Sequence, residues 1–107
     1  MSRLIFAILA SLVLASQPGR AQDIAAGRHV ARTLCSGCHQ VGLEAHGRPG
    51  LAPSFAKIAR TKGMTRTAIE TFLSTPHEVM PNYVLDSRQI RDVAAYIESL
   101  RGTASGT

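Results

Sequence analysis

Both cysteines of the chain fall within five consecutive residues, Cys35-Ser36-Gly37-Cys38-His39, and no other feature restricts the fold as much. Two thiols at that spacing suit a thiol–disulfide exchange pair, half of a metal site, or the attachment point of a cofactor, and each use demands different surroundings. An exchange pair of the thioredoxin type expects strands packed against helices around it. A structural zinc needs three or four nitrogen and sulfur ligands, usually with a second Cys/His cluster. The rest of the chain decides among them.

Strand-like alternation is absent throughout, and three helical segments can be read. The first starts at Asp23, a candidate N-cap, and spaces Ile24, Gly27, Ala31, Leu34, Cys35 and Cys38 at steps of three and four. The second is expected to start around Thr67, where Glu70 completes the form of a capping box. Ile69, Phe72 and Leu73 give its apolar face, and Pro76 stops it. The third opens on Asp86 and Gln89, carries Ile90, Val93, Ala94, Ile97 and Leu100 along one stripe, and closes at Arg101 and Gly102. Between the first two, the Gly- and Pro-rich stretch over residues 41–55 reads as loop, with one helical turn expected at Phe55–Ala59. A second loop, TPHEVMPNYVL over residues 75–85, joins the last two helices. The expected class is all-α.

Without strands, the exchange pair loses its scaffold. His29, His46 and His77 are scattered and offer no second zinc half-site. His39, directly after the second cysteine, completes C-x-x-C-H, the attachment signature of c-type haem. The spacing has a chemical reason. Cys35 and Cys38 stand one helical turn apart, so their sulfurs can form thioethers with the two vinyl groups along one porphyrin edge. His39 then swings its imidazole under the plane toward iron.

The N-terminus agrees with this chemistry, because covalent haem attachment takes place outside the cytoplasm. Arg3 precedes the apolar run Leu4–Ala15, which falls short of the about 20 residues needed to cross a bilayer. A basic start, an apolar centre and small residues after it describe a cleaved secretory signal, here residues 1–21, with Ala15 as the competing cut. A retained anchor or a buried helix is the alternative reading. Losing Arg3 and Arg20 lowers the formal charge from +5 to +3, ten Lys/Arg against seven Asp/Glu. That balance, with no basic stripe interleaved with aromatics, points away from nucleic acid. Residues 22–102 then form one small domain and 103–107 a loose tail. A domain this small needs a staple. Tryptophan is absent, and Phe55, Phe72, Tyr83 and Tyr96 are the only aromatic rings of Phe or Tyr left after residue 21. Something other than large side chains is expected to fill the core.

From residue 23 to 101 the chain resembles a small single-haem class I cytochrome c of the exported bacterial type. Gly27 stands ahead of the CSGCH motif, HEVMPNYVL resembles the family's distal methionine loop, and VAAYIESL its final helix. The resemblance implies three to five helices around one covalent haem, with the first and last crossing near Gly27 and Tyr96 in the crossing. Ala31 stands where the family often has an aromatic, which implies a looser crossing, and the usual tryptophan near a haem propionate is missing. Tyr83, Asn82 and Arg60 are the candidates for that place. Met80, before Pro81, matches the family's thioether ligand, with His77 and Met64 as competitors for the sixth position. The carbonyl that accepts from His39 would belong to Pro49 or Pro53, with Pro53 preferred. The cofactor-binding set is thus Cys35, Cys38, His39 and Met80, with His39 and Met80 on the metal. A filled iron implies a non-enzymatic periplasmic electron carrier for redox proteins such as a dehydrogenase, a quinol-oxidising complex or a terminal oxidase. The alternatives are a haem c subunit of an oxidoreductase complex, or a peroxidase or gas sensor with an open distal side. Lys57, Arg60, Lys62 and Arg66 gather positive charge; a solvated face is preferred over a docking patch there.

Overall fold

The computed structural model describes residues 23–43 and 51–103. The expected signal over residues 1–21, His46, Pro49 and the tail from residue 104 lie outside them. Helix α1, Ile24–Val30, starts where Asp23 turns extended and its carboxylate accepts from the Ala26 amide at 2.9 Å. It runs without a break into a wider π-type turn, Ala31–Cys35, whose last bond joins the Ser36 amide to the Ala31 carbonyl five residues back, at 3.1 Å. Helix α2, Phe55–Arg60, is the short turn expected at Phe55–Ala59, capped by the Ser54 hydroxyl on the Lys57 amide.

Helix α3, Arg66–Ser74, is capped two residues before the expected position. Its cap is Thr65, whose hydroxyl accepts from the Ala68 amide at 3.1 Å, and Thr67 sits inside the helix. Two threonines two residues apart both fit a capping pattern. The one that wins follows Gly63, whose φ of +79° turns the chain into the helix. Thr75 ends α3 in an extended conformation, as a residue before proline prefers. Helix α4, Ser87–Ser99, has both halves of its capping box: the Gln89 amide donates to Asp86 at 2.8 Å, and the Asp86 amide donates to Gln89 at 3.0 Å. A 3₁₀ turn, Leu100–Thr103, finishes it. Among the described residues there is no strand, and the class is all-α as expected.

Helices α1 and α4 cross at Gly27. A Cβ there would lie 2.0 Å from the Asp92 carbonyl oxygen and 3.0 Å from the Tyr96 Cβ, so only glycine admits this approach. Ala31, one turn on, is fully buried despite its size. The Asp92 carboxylate accepts from the Asp23 amide at 2.8 Å, pinning the start of α1 to α4. Arg66 pairs with Glu98 at 2.8 Å across α3 and α4. Arg101 donates from Nε to the Ala59 carbonyl and from Nη2 to that of Met64, closing α2 and the following loop against the end of α4. The core these contacts enclose mixes small residues with Phe55, Ile69, Tyr96, Ile97 and Leu100, none of these five wholly enclosed. Its largest fully buried side chains are Val41 and Val93.

Candidate functional site

The π-type turn delivers the cysteine pair. Past it the backbone closes on itself, with the Cys38 and His39 amides both donating to the Cys35 carbonyl, at 3.2 and 3.0 Å. Cys35 is half-buried and Cys38 exposed, both as free thiols. Burial pushes the Cys35 thiol up to about 11. Thiol exchange calls for the opposite, a cysteine stabilised as thiolate, so this environment argues against a redox-active pair. No three His, Cys, Asp or Glu side chains among the described residues gather into a metal-binding group.

His39 is buried, its ring 5.3 Å from that of Phe55. Its Nδ1 lies 2.6 Å from the Pro53 carbonyl oxygen. A carbonyl can only accept, so Nδ1 carries the proton and Nε2 keeps the lone pair that a metal would take. The Phe55 amide, bonded to the Gln40 carbonyl at 2.9 Å, holds the Pro53 segment beside the histidine. Of the two prolines weighed from the sequence, Pro53 is the one seen in this contact.

The far loop comes back to the cysteines. Leu34, Cys35, Leu73, His77, Met80, Pro81, Asn82, Tyr83 and Leu85 line one cleft with about 360 Å³ of empty space, counting the part open to solvent. Attachment motif and methionine loop, separate in sequence, are therefore walls of one cleft. Met64 is not in it; its side chain packs against the core. Asn82 accepts from the His77 amide at 3.3 Å and so braces the loop. Tyr83 lines the cleft, while Arg60 is exposed at the end of α2 and outside the lining.

His77 is held more firmly than its place in a loop suggested. Its ring stacks on Phe72, centroids 4.3 Å apart and planes 25° from parallel. Nδ1 lies 2.7 Å from the Thr75 carbonyl oxygen, and Nε2 is buried with no hydrogen-bond partner among the described residues. Sequence reasoning missed this arrangement and the Arg101 clamp. Both depend on carbonyls, which carry no residue-specific signal.

Residues 22–97 match the family model described as cytochrome c oxidase, cbb3-type, subunit III. The chain is 34% identical over 94 residues to cytochrome c-552 of Bradyrhizobium diazoefficiens, an alignment covering 88% of this chain and 90% of that protein. No solved structure matches the chain significantly.

Proposed function

The chain belongs to the small c-type cytochromes, and from that premise we propose that it is a periplasmic one-electron carrier whose haem iron is held by His39 and Met80. The family binds haem c covalently, and Cys35 and Cys38 are present as its motif requires. The residues suit that group. A lone pair is left free on His39 by its Pro53 bond, the cleft beside Cys35 is largely apolar, and no wholly enclosed side chain is larger than valine.

The observation that carries the reading is the shared cleft of Cys35 and Met80. A thioether opposite an imidazole favours reduced iron and raises the potential. Held by both His39 and Met80, the iron would keep no place open for a substrate, and the protein would pass electrons without turnover of its own. Export follows from the signal read over residues 1–21, and c-type cytochromes are commonly exported. No helix among the described residues is long and apolar enough to cross a membrane. The redox partner would be a dehydrogenase, quinol-oxidising complex or terminal oxidase; Lys57, Arg60 and Lys62 supply positive charge to a face read as solvated rather than as a docking patch. Arg66, engaged with Glu98, contributes less.

A second reading is favoured by the description of the matched family model, an oxidase subunit: this chain would then work as the haem c subunit of a larger oxidoreductase. Purification as a monomer that exchanges electrons freely supports the shuttle; co-purification with a larger subunit supports the complex. The ligand assignment has its own test. Met80→Ala is expected to abolish the weak absorption near the red edge that marks ferric iron bound to methionine sulfur, and the wild-type ferrous protein is expected to ignore carbon monoxide. An unchanged band in the variant, or a prompt carbon monoxide shift in the wild type, would reject Met80 as ligand. The prompt shift would also favour a peroxidase or gas sensor.

A further inference from the structure

Two histidines of this chain are built alike. Each has Nδ1 at hydrogen-bond distance from a backbone carbonyl, His39 from Pro53 at 2.6 Å and His77 from Thr75 at 2.7 Å. Each carbonyl fixes the tautomer, leaving the lone pair on Nε2. For His39 that lone pair has an assigned use. For His77 it has none, although Nε2 is buried without a partner and the residue lines the same cleft as Met80. A buried, unpaired imidazole nitrogen is costly, and no group among the described residues offsets it. Stacking on Phe72 and the bond from its own amide to Asn82 hold the ring and backbone in place.

We propose that His77 is a standby axial ligand: whenever the Met80 thioether leaves iron, His77 Nε2 takes the vacated position. The proposal rests on the reading of Met80 as resident ligand. One iron–sulfur bond is exchanged for one iron–nitrogen bond. No electron moves, and no proton moves either, because Nδ1 keeps its proton on the Thr75 carbonyl. The consequence is a distal side that stays closed to small ligands even when the methionine loop loosens. The exchanged form, with two imidazoles, has the lower potential.

The test compares purified wild-type, Met80→Ala and Met80→Ala/His77→Ala holoproteins by ferric electron paramagnetic resonance and by ferrous carbon monoxide uptake. Met80→Ala is expected to stay low-spin, with electron spin-echo modulation showing the nitrogens of two imidazoles. The double variant is expected to turn high-spin. If His77 holds the position about 99% of the time, carbon monoxide uptake by Met80→Ala is slower than by the double variant about 100-fold. A high-spin Met80→Ala protein, modulation from a single imidazole, or equal uptake rates would overturn the proposal. So would a double variant that stays bis-imidazole, since another histidine would then be the ligand. Failure of the underlying reading looks different: the wild-type ferric protein would lack the methionine band, and Met80→Ala would leave its spectrum unchanged.

Discussion

Tyr96 joins three parts of the molecule through one side chain. Its Cβ lies in the Gly27 crossing, its ring faces Phe55 at 6.4 Å, and the Arg28 guanidinium stands 6.0 Å from its centroid. Its hydroxyl, buried, donates to the Val41 carbonyl at 2.5 Å. That bond ties α4 to the backbone two residues after His39, which makes Tyr96 a support of the proposed iron ligand as well as a core residue. Tyr96→Phe keeps the ring and strands the carbonyl, so it is expected to cost about 1–3 kcal/mol, read by urea unfolding of the holoprotein. A cost near zero would mean that water reaches Val41. At this scale the sequence was partly legible. The resemblance led to Tyr96 in the crossing, and C-x-x-C-H named the cysteines and His39. The Val41 bond could not be read, because it spans 55 positions and ends on a carbonyl. The same holds for the Thr75 carbonyl that orients His77.

Among the elements, the α1–α4 crossing sets how close the attachment motif lies to the rest of the protein. Gly27 allows backbone to touch backbone there, and any Cβ would press into the Asp92 carbonyl at 2.0 Å. A flexible side chain could yield; a helix carbonyl cannot. Gly27→Ala normally gains about 1 kcal/mol of helix propensity, but here the overpacking, about 1–3 kcal/mol or more, wins. The variant is expected to melt lower, with the loss shared by α1 and α4 in hydrogen exchange. A neutral or stabilising result would mean that the helices stand further apart than described. Apolar periodicity and capping residues made α4 readable from Asp86 to Leu100, because its box and stripe are both local signals. For α3 the box pattern at Thr67 pointed two residues too far along, because after the turn at Gly63 the cap falls on Thr65. The π-type turn at Ala31–Cys35 was not legible at all. Steps of three and four describe which residues face inward, not whether a carbonyl bonds four or five residues ahead.

For the molecule as a whole, the question is what the helices pack around. A domain of this size buries little more than about 60% of its unfolded surface. Here the interior is built from alanine, valine and a few larger residues, with nothing bigger than Val41 and Val93 wholly enclosed. Several apolar side chains lie outside it. Val79 and Val84, on either side of Met80, are 99% and 100% exposed, and Leu51 is 62% exposed. Polypeptide alone therefore leaves the methionine loop with little to rest on, apart from the His77 bonds and the wall it shares with Cys35. Haem c supplies a large apolar body and, under the proposed Met80 ligation, would also tie that loop. Replacing the attachment cysteines tests this dependence. Cys35→Ala/Cys38→Ala, expressed without covalent haem, is expected to lose the cooperative thermal transition and much of its far-ultraviolet helical signal. Helix α4, with its own capping box and the strongest apolar stripe, should keep the most residual protection in hydrogen exchange. A sharp transition at the holoprotein's temperature would show that the four helices sustain one another without the porphyrin. In that case the small core would have to be counted sufficient, and the haem would be cargo held by a finished fold.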